Sequence, residues 1–260
     1  MSVEVVLETQ GNLVRASVVG HSYVPLPTYA GPKRGEVENF SARSRKRLLE
    51  RIARLEFNPV DGQRHFAVFL TLTMLRFYHP MAAKRFLQAF IKRMIRKYPD
   101  ACGFWRLEYQ ERGAVHFHLI LFNIPYWPKR EVQQAWGEVI GEDRPWTRIE
   151  SIRNKRGVFY YVSKYAAKQD DSCGFNYVPY LTDEGSQGRV WGVIQADKLP
   201  LGKIITYVLD YGSWFHNLKK LAFLHWEGID LDNEHGFTLF LDDPGEFMSA
   251  AVLLAAADKE

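Results

Sequence analysis

The sequence predicts an α+β fold organised around an antiparallel sheet. Three observations carry this. Residues 66–74 are a nearly continuous apolar and β-branched run, the signature of a strand buried on both faces. Residues 104–110 and 114–122 read as two strands separated by Glu111-Arg112-Gly113, a three-residue hairpin turn with Gly113 where the backbone needs a positive φ. Residues 81–98 carry Phe86, Phe90, Ile91, Met94 and Ile95 at helical spacing, so a helix with one apolar face lies between these strands.

The remaining elements follow in order. Residues 3–19 alternate loosely around Gly11-Asn12 and read as a hairpin. Residues 21–38 are rich in proline and glycine and read as a surface loop. A helix over 41–55, with Ser41 or Ser44 as cap, buries Leu48, Leu49, Ile52 and Leu55 and turns Arg43, Arg45, Lys46, Arg47, Arg51 and Arg54 outward. Pro128 introduces a helix over 129–140 that Gly141 stops, and Asn154 caps another running to about 169. Residues 190–194 and 237–241 read as strands, while 204–221 fits either element.

Composition bounds the function. The chain has 260 residues, 47% of them hydrophobic, which is a globular balance. Its longest apolar stretch, residues 248–257, is too short to span a bilayer, and the N-terminus lacks the pattern of a signal peptide, so a cytoplasmic protein with no membrane partner is expected. Cys102 and Cys173 stand alone and are expected as reduced thiols. The net charge of +4 is unevenly spread. Residues 227–260 hold nine acids and one base, leaving 33 bases against 21 acids, a net +12, on residues 1–226. So basic a body points to a polyanionic partner. Within the helix over 81–98, Lys84, Arg85, Lys92, Arg93, Arg96 and Lys97 have no interleaved carboxylate, which points to phosphate contact by Lys92, Arg93, Arg96 and Lys97. Arg112, at the hairpin turn, is grouped with them.

The chemistry centres on His116-Phe117-His118. Residues two apart on a strand share a face, so both imidazoles project together and Phe117 enters the opposite layer. The three-residue turn pairs Gln110 with Ala114, Tyr109 with Val115 and Glu108 with His116. Glu108 is then beside His116 and diagonal to His118. Two imidazoles and a carboxylate with open positions left over suit Mg²⁺ or Mn²⁺. Glu111 is the competing third ligand, although the turn aims it outward.

A second feature lies in the helix that Asn154 caps. Tyr161 and Tyr165 are four apart and share a helix face, and each is followed three residues later by a lysine, Lys164 and Lys168. A nearby ammonium favours the phenolate and helps hold a phosphate. Metal, tyrosine and lysine together predict attack by a phenol on a phosphodiester, leaving a 5′-phosphotyrosine link and a free 3′-hydroxyl. No GxxxxGK[ST] motif is present, so no P-loop motor is expected.

These motifs resemble those of HUH-superfamily replication initiators of small single-stranded DNA phages and rolling-circle plasmids. Phe69-Leu70-Thr71-Leu72-Thr73 is similar to the first motif, a strand beside the active site. Glu108 with His116-Phe117-His118 is similar to the metal-binding motif. Tyr161 to Lys168 is similar to the two-tyrosine motif of the phage-type members. Arg189-Val190-Trp191-Gly192 and Leu199-Pro200 are similar to a trailing segment.

The resemblance implies a sheet of about five strands with helices mainly on one face. It also implies a site-specific single-stranded DNA endonuclease and strand transferase acting on single-stranded or hairpin origin DNA. A host helicase and polymerase would cooperate with it in a bacterial cytoplasm. It divides the chain into an N-terminal extension (1–60), a nicking domain (61–226) and an acidic C-terminal segment (227–260). Two other readings remain open: a transposase of the same superfamily, and a noncatalytic single-stranded nucleic-acid-binding module.

Overall fold

The computed structural model describes residues 3–20, 42–56, 67–110, 112–125, 127–152, 188–227, 229–232 and 236–258. The chain forms two compact units, one of Met1–Lys33, Glu50–Glu56 and Leu201–Glu260, the other of Arg34–Leu49 and Phe57–Pro200.

The second unit is built on a five-stranded sheet. Its strands are β3 (Ala67–Thr73), β4 (Cys102–Tyr109), β5 (Val115–Phe122), β6 (Thr147–Ile152) and β7 (Trp191–Ile194), in the order β6-β3-β5-β4-β7. Every neighbouring pair is antiparallel. With its helices this is the α+β architecture expected. The strand over 147–152 was not anticipated. It is a short edge strand, Thr-Arg-Ile-Glu-Ser-Ile, whose exposed positions carry an Arg148–Glu150 ion pair at 2.6 Å, and so few apolar residues give little strand signal.

Two helices cover one face of this sheet. Helix α2 (Pro80–Lys97) starts with proline at its first position, where the missing N–H costs nothing, and His79 Nδ1 accepts from Met81 N at 3.3 Å. Helix α3 (Lys129–Ile140) ends at Gly141, whose φ of 69° is the left-handed cap that glycine adopts without strain. Leu70, Leu72, Leu107, Phe117, Leu119 and Leu121 on the sheet pack against Leu87, Phe90 and Met94 of α2 and Val132, Trp136 and Ile140 of α3. Burying side chains of this size contributes roughly 1.5–3 kcal/mol each. Trp136 is fully buried, and its indole N–H donates to the Thr73 carbonyl at 2.9 Å, which ties the helix layer to the end of β3. At the sheet edge, Gly192 of β7 lies under Trp105, where a Cβ would come within 2.6 Å of the indole nitrogen. The glycine of the trailing segment is thus a packing requirement.

The first unit has its own four-stranded sheet, ordered β8-β1-β2-β9, from β1 (Val3–Gln10), β2 (Leu13–Gly20), β8 (Ile205–Asp210) and β9 (Phe237–Phe240). The expected Gly11-Asn12 hairpin joins β1 to β2. Val5, Leu7, Val14 and Ala16 pack with Trp214, Phe215 and Leu218 of α4 (Trp214–His225) and Phe247 and Met248 of α5 (Pro244–Ala257). The ambiguous stretch over 204–221 therefore contains a strand and the start of a helix. Helix α1 (Ala42–Ala53) is the basic helix expected near residue 41. None of the described helices is long and apolar enough to cross a membrane.

Candidate metal centre

The hairpin of β4 and β5 builds the site. Glu108 pairs with His116, Tyr109 with Val115, and Gln110 N donates to the Ala114 carbonyl at 2.9 Å, the register that a three-residue turn dictates. Gly113 has a φ of 80°. Strand alternation then sends Phe117 into the helix layer, where it is fully buried, and His116 and His118 to the other face.

On that face the three side chains converge. His118 Nε2 lies 3.0 Å from Glu108 Oε2 and 3.2 Å from His116 Nε2, and His116 Nε2 lies 3.5 Å from Glu108 Oε2. Such spacing suits one small divalent ion. With ion–ligand bonds of about 2.1 Å, adjacent ligands stand about 3.0 Å apart in octahedral geometry and about 3.4 Å in tetrahedral geometry. Glu108, His116 and His118 could therefore hold one metal ion, and two imidazoles with one carboxylate leave coordination positions open for substrate. The donor set does not select among metals.

Neighbouring strands orient the ligands. Thr71 of β3 pairs with His118, and its Oγ1 lies 3.2 Å from His118 Nδ1. Phe69 stacks on the same imidazole, with ring centroids 5.4 Å apart and planes 19° from parallel. These contacts fix the ring so that Nε2 faces Glu108. Arg106 of β4 is buried beside them, with Nη2 3.4 Å from Glu108 Oε1, leaving Oε2 turned toward the imidazoles.

Electrostatics agree with a ligand role. Burial alone would raise the Glu108 carboxyl, but hydrogen bonds from the two imidazoles and the charge of Arg106 overcome it, and the group stays ionised far below the usual carboxylate range. Burial lowers the His118 imidazole from its ordinary 6.5; the Glu108 carboxylate opposes this, while His116 and Arg106 add to it. His118 is therefore neutral at pH 7, as a ligand must be.

Tyr161, Lys164, Tyr165 and Lys168 lie outside the described residues, as does Glu111. Arg112 is at the turn, where its Nε donates to Gln110 Oε1 at 2.9 Å and its Nη2 to the Met74 carbonyl at 3.4 Å. The α2 bases lie in the helix layer, which covers the sheet face opposite the histidines. Helix α2 holds no balancing carboxylate, but α3 supplies two: Arg93 pairs with Glu138 at 2.8 Å, and Lys97 pairs with Glu131. Lys92 and Arg96 are exposed.

The sequence reading assigned no role to Arg106 or to the Thr71 hydroxyl. Arg106 was within reach of it, because the register pairing Glu108 with His116 also pairs Arg106 with His118.

Residues 67–170 match the model of a family of replication-associated proteins, the ORF2 type. The matched stretch starts at β3, contains all three candidate ligands and continues through both tyrosines. Over it, the chain is similar to proteins associated with replication. No curated protein and no solved structure matches the chain.

Proposed function

We propose that this protein is a replication initiator that nicks and rejoins single-stranded or hairpin origin DNA in rolling-circle replication. The observation that carries the reading is the convergence of Glu108, His116 and His118 on one sheet face, within a stretch similar to replication-associated proteins. When bound there, Mg²⁺ or Mn²⁺ supplies positive charge against the negative charge that gathers on a phosphate under attack.

The residues of the chain do the rest. The phenolic oxygen of Tyr161 or Tyr165 attacks phosphorus and gives up its proton to solvent or a nearby base. The P–O3′ bond breaks, the 3′-oxygen takes a proton, and the 5′ end is left joined to the tyrosine. Lys164 and Lys168, three residues after each tyrosine, favour the phenolate and hold the phosphate. Attack by a 3′-hydroxyl on the phosphotyrosine reverses the step and joins strands. Arg112, with Lys92, Arg93, Arg96 and Lys97, contributes to binding the DNA backbone. A helicase and a polymerase of the host would unwind and extend from the free 3′ end, in the host cytoplasm.

Incubation with labelled single-stranded oligonucleotides from its own replicon and Mn²⁺ tests this. The expected result is a covalent protein–DNA band in denaturing gels that EDTA abolishes. Cleavage that persists in excess EDTA, or no adduct with any origin strand, would overturn it.

A further inference from the structure

We infer that the basic start of α1, Arg43, Arg45, Lys46 and Arg47, is the surface that takes the phosphate backbone of single-stranded DNA on the metal side of the sheet. The placement follows from register. His118 pairs with Arg106, and Arg106 pairs with Trp191, so these three side chains form a row across β5, β4 and β7 on one face. Strands lie about 4.8 Å apart, so the row spans about 10 Å. Its outer end meets α1, where the Trp191 indole N–H donates to Ser44 Oγ at 2.8 Å. The start of α1 therefore stands beside the face that carries Glu108, His116 and His118.

The charge there is concentrated and uncompensated. Four bases fall within five residues, and no acid follows on the helix until Glu50. That carboxylate is already engaged, with Arg15 at 3.3 Å. Arg43, Lys46 and Arg47 are exposed, and none of the four bases forms an ion pair among the described residues. Arg43 and Arg47 are four apart and stack along one line of the helix, next to Ser44. Guanidinium groups so spaced can each fork onto a phosphate of a strand crossing the helix. Helix α2 offers the opposite case: it covers the other sheet face, and Arg93 and Lys97 are neutralised by α3.

This inference rests on the nicking reading only for the identity of the polyanion, and it can be tested without chemistry. Fluorescence anisotropy of a labelled oligothymidylate, titrated in EDTA over a series of salt concentrations, reads phosphate contacts through the slope of log affinity against log salt. Four phosphate contacts account for roughly 3 units of slope on a single strand. The variant Arg43→Gln/Arg45→Gln/Lys46→Gln/Arg47→Gln should lose most of that amount, and Arg43→Gln/Arg47→Gln about half. Lys92→Gln/Arg96→Gln should change it less than the quadruple variant does. The double variant leaves the buried face of α1 untouched and serves if the quadruple variant folds poorly.

A wild-type slope in the α1 variants would overturn the inference while leaving nicking intact. Salt-sensitive binding by the wild type without any covalent adduct would instead remove the nicking reading and leave this surface standing. If the α1 variants lose affinity for polyglutamate but keep the wild-type slope on DNA, the surface takes an acidic protein and the inference fails.

Discussion

Glu108 Oε2 is 3.0 Å from His118 Nε2, its diagonal neighbour, and 3.5 Å from His116 Nε2, which faces it directly across the hairpin. The carboxylate thus leans between the two imidazoles, and Arg106 at 3.4 Å from its other oxygen favours that lean. A ligand triangle is formed by residues that strand pairing alone would leave as a pair and an outlier.

Removing any corner of that triangle should abolish metal binding. His116→Ala, His118→Ala and Glu108→Gln should each weaken Mn²⁺ binding by more than the roughly 10–100-fold typical of outer-shell losses. Calorimetric titration with Mn²⁺ reads this, and wild-type affinity in any of the three would sink the assignment. The pH dependence has a defined sign. Because the folded chain holds His118 below 6.5, protons compete weakly at pH 7, and affinity should fall only as pH drops into and below the ordinary imidazole range. In the metal-free protein, the unfolded chain takes up a proton at His118 near 6.5 that the folded chain resists, so this group lowers stability as pH falls below that value.

Thr71 should matter to the metal without touching it. Its hydroxyl can accept from an Nδ1–H, the tautomer that leaves His118 Nε2 free to ligate, and a hydroxyl can equally donate when the proton is on Nε2. Thr71→Val keeps the shape and removes the hydrogen bond, and should cost about 10–100-fold in Mn²⁺ affinity. Thr71→Ser should restore most of it. Equal affinities for the valine and serine variants would show that the hydroxyl only fills space.

Neighbouring residues on β5 should separate stability from binding. Phe117 is fully buried against Trp136, with ring centroids 6.3 Å apart, while His116 lies on the opposite face. Phe117→Ala should destabilise the protein by about 3–5 kcal/mol in denaturant unfolding. His116→Ala should change stability far less while removing metal binding. A small loss from Phe117→Ala would mean that the helix layer is not what holds this strand.

The two tyrosines should share the chemistry. Rolling-circle synthesis must cut a new junction while the first 5′ end is still attached, which one nucleophile cannot do. A second phenol about 6 Å along the same helix face would reach the same phosphate with a small shift. Tyr161→Phe and Tyr165→Phe should each still form an adduct, the double variant should form none, and joining of a second strand should fail in both singles. Complete loss of adduct in one single variant, with wild-type behaviour in the other, would leave one tyrosine as the sole nucleophile.

Much of the site could be read from local order in the chain. The alternation of His116, Phe117 and His118, the glycine at position 113 and the three-residue turn settle which residues share a face and which carboxylate joins them, because a hairpin's register follows from its own loop. The buried run over 67–73 and the helix bounded by Pro128 and Gly141 were legible for the same reason: period and punctuation are local.

Long-range pairing was not. Thr71 meets His118 only because β3 lies beside β5 in a register set across some forty intervening residues, and no turn dictates that pairing. The carboxylates that neutralise Arg93 and Lys97 come from α3, invisible to a reading of α2 alone. The same holds for the first unit, where β1 and β2 from one end of the chain pair with β8 and β9 from the other. Each unpaired strand edge and apolar face can be covered by many segments of matching pattern. The choice among them rests on side-chain packing and closure of the whole sheet, which local periodicity does not encode.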